Sequence, residues 1–232
     1  MSSPPIVDVP PELLKLITPF SLVTAGPSGS GKSKMLFDLL DNIAECTSPP
    51  IERVVFIYGV YQDLYKEYPN IRFTGDITAM ETRHPPNTLL IIDDCMSAIK
   101  DDSALEHLFT RGRHEQVSTI LVLQNMFYKG RVMKTCRDNA TYLSFTNHLQ
   151  DQHRMHTFSS QLEGQGGHYF KESYEDAIKT RFNYLFVDLH PKSLLRYAPY
   201  FIKYRSGVHK PEGQTLYIDK KKHASYKTDE ST

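Results

Sequence analysis

Eight residues, Gly26-Pro27-Ser28-Gly29-Ser30-Gly31-Lys32-Ser33, stand between an apolar, β-prone run at 20–25 and a helical pattern that continues to about residue 45. Their spacing is G-x-x-x-x-G-K-[ST]. Glycines at these places let the backbone curl until consecutive N–H groups point at one spot. The helix that follows adds the partial positive charge of its N-terminus. Strand, glycine turn and helix together make an anion cradle and commit the chain to an α/β fold. The cradle is expected to be lined by Gly26, Pro27, Ser28, Gly29, Ser30, Gly31, Lys32, Ser33 and Lys34. Lys32 should reach the β- and γ-phosphates of a nucleotide, and Ser33 should offer its hydroxyl to Mg²⁺.

The rest of the chain fits that commitment. Apolar runs at 53–58, 88–92, 117–123, 141–146 and 184–189 read as strands, the last as the final core strand, with a short one near 71–73. Helical patterns fall at 61–68, 103–115, 131–138, 150–162 and 173–180. Strands that are apolar throughout, alternating with helices, predict a mostly parallel sheet flanked by helices on both faces. A chain of 232 residues suits one domain with extended ends. The divisions expected are a Pro-rich arm at 1–18, the domain at 19–208, and a polar, poorly ordered tail at 209–232 containing Lys220-Lys221-Lys222.

A second chemical group follows the cradle. Leu89-Leu90-Ile91-Ile92-Asp93-Asp94 is a buried strand that ends in two acids, and ligands of α/β sheets bind at the carboxyl ends of strands. Asp93 is assigned to Mg²⁺, directly or through water. Asp94 is placed to orient or deprotonate an attacking water. Adjacent carboxylates repel, and a cation relieves that repulsion. A second acid favours ATP hydrolysis over a GTP switch, and no NKxD guanine-reading motif is present. The strand at 53–58 is inserted between the cradle helix and the acidic strand, which suits the RecA-like (ASCE) branch of P-loop NTPases.

Gln124 ends the strand 117–123. In a RecA-like sheet that strand lies beside the acidic one, so Gln124 is expected to sense the γ-phosphate or hold the lytic water. Arg111 and Arg113 precede the same strand and are too far along to join their own cradle. In ring ATPases an arginine at this place points into the neighbouring subunit's site, and that likeness implies that Arg113, or else Arg111, stabilises charge on the phosphoryl group transferred there.

These blocks resemble the FtsK–HerA class of DNA-pumping ATPases. Within it, they look most like the viral genome-packaging ATPases of the poxvirus, virophage and polinton/adintovirus lineage. The residues that carry the resemblance are GPSGSGKS (26–33), LLIIDD (89–94) and TRGRHEQVSTILVLQN (110–125), with looser agreement at Asn139 and 142–145. The likeness covers roughly residues 19–150. It implies a homo-oligomeric ring, hexamer or pentamer, that drives double-stranded DNA into a preformed capsid with ATP and Mg²⁺, and so contacts with capsid proteins. One departure is Asp93-Asp94 where cellular members commonly have Asp-Glu, so the shorter acid must hold water from closer.

Formal net charge is zero, with 27 basic and 27 acidic side chains, so bulk charge is no evidence for nucleic acid. The halves differ, however. Residues 1–125 carry 10 basic and 16 acidic side chains, and residues 126–232 carry 17 and 11. Phosphate contacts are therefore expected in the second half, at Lys129 and Arg131 first, then at Arg154 and the glycine loop Gly164-Gln165-Gly166-Gly167. Cys46, Cys95 and Cys136 are scattered and odd in number, which fits a reducing compartment. Neither a membrane span nor a signal peptide is expected, and the protein is placed inside the host cell at the site of virion assembly. Two other functions compete: a nucleotide-dependent assembly scaffold that pumps nothing, and a helicase on single strands.

Overall fold

The computed structural model describes residues 6–7, 15–99, 102–147, 152–163, 169–191, 200–204 and 215–217. The chain opens with β1 (Ile6–Val7), β2 (Leu16–Ile17) and β3 (Ser21–Ala25), then α1 (Lys32–Asp41), α2 (Ile43–Cys46), β4 (Thr47–Ser48), β5 (Arg53–Tyr58) and β6 (Arg72–Thr74). Next come β7 (Thr88–Asp93), α3 (Met96–Ile99), α4 (Ser103–Arg111), β8 (Val117–Leu123), α5 (Arg131–Asn139) and β9 (Tyr142–Thr146). It closes with α6 (Gln152–Glu163), α7 (Tyr169–Ala177), β10 (Tyr184–Asp188), β11 (Tyr200–Tyr204) and β12 (Thr215–Tyr217).

Ten strands form one sheet in the order β1-β12-β11-β10-β9-β3-β8-β7-β5-β6, and β2 pairs with β4 beside it. The block from β9 through β6 is parallel. Its central strands are buried from both sides: Leu89, Leu90, Ile91 and Ile92 are all fully inaccessible. That is why their sequence is continuously apolar rather than alternating. Leu89 and Ile91 share one core cluster with Met35, Leu36 and Phe37 of α1, whereas Leu90 and Ile92 belong to a second with Leu105 and Phe109 of α4, Met133 of α5 and Phe170 of α7. Each fully buried side chain of this kind contributes about 1.5–3 kcal/mol. The fold is α/β, with a mostly parallel central sheet.

Four elements depart from the sequence reading. The segment at 61–68 is a 3-10 turn, Asp63–Glu67, because Tyr65 stacks on Phe73 at 4.4 Å and packs at a tilt against Phe56 and Tyr58, and aromatic packing rather than a helical stripe sets its course. The first helix breaks at Asn42, whose side-chain amide donates to the Asp38 carbonyl. Asp102 caps α4 by accepting from the Ala104 N–H at 2.7 Å, and the helix tightens into a 3-10 turn, Gly112–Glu115, that stops at left-handed Gln116. The strand at 184–188 is not the last: β10, β11, β12 and β1 extend the sheet antiparallel. Segment 1–18 thus supplies β1 and β2, and segment 209–232 supplies β12. No helix among the described residues is long and apolar enough to cross a membrane.

Candidate active site

The parallel strands bring their C-terminal ends to one edge. Ala25 of β3 registers with Leu123 of β8, and Asp93 of β7 with Val122. Strand β8 lies between the strand that enters the glycine turn and the strand that ends in the acid pair, as a RecA-like sheet requires. The glycine turn, both acids and Gln124 therefore leave the sheet side by side. They line a cleft of about 190 Å³ together with Ser28, Gly29, Lys32, Ser33 and a residue from the loop after β5, Gln62.

The turn is held by backbone and by one strand neighbour. Gly26 N–H donates to the Leu123 carbonyl at 3.2 Å, and Ser30 N–H to the Pro27 carbonyl at 3.2 Å. Gly29 has φ +75 and Gly31, which caps α1, has φ +100. Both angles lie where residues with a Cβ are strained. A Cβ on Gly26 would lie 1.6 Å from Thr146 Oγ1, which itself donates to the Ser30 hydroxyl at 2.7 Å. Thr146 thus fastens the turn from the end of β9. Its position at a strand terminus was the sequence signal, but nothing local marked it as a partner of Ser30. Lys34 forms an ion pair with Asp38 at 3.5 Å on the outside of α1, so only its backbone can face the cradle.

Lys32 Nζ folds over the turn and donates to the carbonyls of Gly26 at 2.6 Å and Pro27 at 2.9 Å. Burial lowers its pKa, while the charges of Asp93 and Asp94 oppose that shift. Burial pushes the Asp93 carboxyl up to about 6, against the pull of Lys32 and with the help of Asp94. Asp94 turns the chain at φ +55, an angle more open to Asp and Asn than to bulkier side chains. Gly59 N–H donates to the Asp93 carbonyl at 2.9 Å, and a Cβ on Gly59 would strike the Asp94 carbonyl. The loop that carries Gln62 is thereby latched to the acid pair. Gln124 Nε2 donates to Asp94 Oδ1 at 3.4 Å.

The arginines lie elsewhere. Arg111 is the last residue of α4 and is exposed, and Arg113 is half-buried in the 3-10 turn that leads into Val117. Both therefore stand at the opposite edge of the sheet, about 20 Å from Gln124 along the seven residues of β8. Lys129 and Arg131 are exposed, on the loop after Gln124 and at the start of α5. Arg131 pairs with Glu106 at 2.8 Å. The side chain of Arg154, the glycine loop Gly164-Gln165-Gly166-Gly167 and Lys220-Lys221-Lys222 lie outside the described residues.

Comparison with known proteins adds the following. Among solved structures, the chain is similar to the genome packaging NTPase B204 from Sulfolobus turreted icosahedral virus 2 in complex with ATP-gammaS, at 13% identity and a TM-score of 0.49, over 73% of this chain and 92% of that one. It is similar to EssC (ATPases 2 and 3) from Geobacillus thermodenitrificans at 13% identity and a TM-score of 0.45, over 63% of this chain and 34% of that one. A third likeness is to the N-terminal domain of zonular occludens toxin from Neisseria meningitidis, at 13% identity and a TM-score of 0.38, over 89% and 98% of the two chains. No curated protein sequence matches. Residues 57–166 match the family model of the Poxvirus A32 protein, and that stretch holds Asp93, Asp94, Arg111, Arg113 and Gln124, on which much of the resemblance to viral packaging ATPases rests.

Proposed function

We propose that the chain is an ATP-hydrolysing motor that moves double-stranded DNA into a preformed capsid as a closed ring of identical subunits, inside the host cell where virions assemble. The observation that carries this reading is the convergence of the glycine turn, Asp93, Asp94 and Gln124 in one cleft at the C-terminal edge of a sheet. The residue match to the Poxvirus A32 protein model supports the viral branch.

The residues suit a Mg²⁺–nucleotide. Lys32 is a half-buried cation whose Nζ donates to the Gly26 and Pro27 carbonyls, and phosphate oxygens would replace them with charge-assisted bonds. Asp93 resists ionisation beside Asp94, and a divalent cation would reverse that. Among the described residues no cluster of three or more His, Cys, Asp or Glu side chains is built to hold a metal. The ion would take Ser33 and Asp93, with phosphate and water completing its shell. Bound Mg²⁺–ATP supplies the electrophilic phosphorus and neutralises its oxygens. Asp94, held through Gln124, orients the water and accepts its proton. Arg113, with Arg111 beside it, serves the next subunit's site.

An ATPase assay run with and without duplex DNA, across protein concentration, tests this. Turnover should rise with duplex DNA and with concentration as subunits assemble. A rate indifferent to DNA would favour the assembly scaffold. A preference for single strands would favour a helicase.

A further inference from the structure

Gly31 has a close neighbour in Phe182. A Cβ built on it would lie 3.1 Å from Phe182 Cδ1 and 3.4 Å from Phe182 Cβ. Phe182 stands in the turn between α7 and β10. Strand β10 runs antiparallel to β9, with Tyr184 paired to Thr146. The start of β10 is therefore at the same edge as the glycine turn. Phe182 has φ +67, a left-handed angle that bulky residues rarely adopt. Such conformations persist where the surroundings impose them, often at ligand clamps. The ring is only partly buried, and the exposed Arg181 lays its guanidinium carbon 4.6 Å from the ring centroid.

The placement has a direction. Strand β3 is flanked by β8 and then β7 on one side, and by β9 and then β10 on the other. The acids and Gln124 occupy the first side. A triphosphate whose terminal phosphate faces them extends its nucleoside toward the second side, where Phe182 stands. We infer that Phe182 and Arg181 form the platform for the nucleotide base, with a purine ring laid on the aromatic–guanidinium stack. Bases stack well on aromatic rings and on guanidinium planes. The inference rests on the triphosphate reading of the cradle.

The test uses calorimetric binding of ATP and of inorganic tripolyphosphate to the full chain. Phe182→Leu keeps bulk against Gly31 but removes the ring. It should weaken ATP about ten-fold, while tripolyphosphate affinity stays within about two-fold. Phe182→Tyr should bind both ligands as the parent does. Etheno-ATP fluorescence should be quenched on binding to the parent and not to Phe182→Leu. Unchanged ATP affinity in Phe182→Leu, or equal loss of both ligands, overturns the platform while leaving the cradle intact. A parent protein that binds neither ligand overturns the cradle and the platform together.

Discussion

Gln124 Nε2 and Asp94 Oδ1 meet at 3.4 Å across the ends of two hydrogen-bonded strands. The bond is long, and it is the side-chain link between the acid pair and the strand that borders the glycine turn. An amide there holds the carboxylate toward the cleft and can exchange Asp94 for a phosphate oxygen or a water. Gln124→Ala should lower kcat about 10²–10³-fold, the usual cost of losing one positioned donor. The dissociation constant for ATP should change little. Single-turnover hydrolysis and equilibrium binding on the same variant separate the two. Equal losses in both would mean that Gln124 serves binding rather than the chemical step.

Arg113 cannot reach its own cleft across the length of β8. Its effect should therefore appear only between subunits. Arg113→Ala should bind ATP normally and hydrolyse it about 10³-fold more slowly. Lys32→Ala should fail to bind ATP tightly but retain its arginine. Mixing the two inactive proteins should restore turnover, because some sites then combine an intact cradle with an intact neighbouring arginine. If every mixture stays inactive, the arginine does not act in trans; Arg111→Ala in the same mixing assay shows which of the two residues acts.

The central sheet was legible because its chemistry is local. Leu89, Leu90, Ile91 and Ile92 are inaccessible on both faces, so burial writes itself as an unbroken apolar run, and the turn and acid pair carry fixed spacings. Strands β1 and β12 were hidden. Ile6 pairs with Tyr217 and Val7 with Leu216, and two- or three-residue strands drawn from opposite ends of a chain leave no periodic signal. The 3-10 turn at Asp63–Glu67 was misread for a related reason: Tyr65 is fixed by rings from β5 and β6 rather than by its own segment. In the candidate site, the residues read from the sequence fall in one cleft where a motif or a strand end marked them, whereas Thr146 on Ser30 and Gln62 beside the acids carried no local signal.

The raised Asp93 pKa gives stability a pH dependence of definite sign. An unfolded aspartate titrates near 3.8 and the folded Asp93 near 6, chiefly because it is buried. Between those values the folded chain holds a proton that the unfolded chain has released. This contribution therefore falls as pH rises through that window. Above it, the ionised carboxylate costs the nucleotide-free protein on the order of 3 kcal/mol. Asp93→Asn should unfold at higher denaturant than the parent at pH 8, with the gap closing toward pH 4. A parent that is more stable than Asp93→Asn at pH 8 would show that Lys32 outweighs burial.

Gly26 leaves no room for a side chain: its Cβ position is 1.6 Å from Thr146 Oγ1, 2.8 Å from Ser30 Oγ and 3.0 Å from Thr146 Cβ. Gly26→Ala must push β9 and the glycine turn apart, and overpacking of this kind costs about 1–3 kcal/mol. It should also weaken ATP binding, since Gly26 opens the glycine turn whose backbone lines the cradle. Thr146→Ala alone should cost less, about 1 kcal/mol for the lost hydrogen bond to Ser30. Removing Oγ1 also removes the nearest obstacle. The double variant Gly26→Ala/Thr146→Ala should therefore be more stable than the sum of the single changes predicts. Denaturant melts of all four proteins give the coupling directly. Strict additivity would mean that Thr146 does not set the height of the turn.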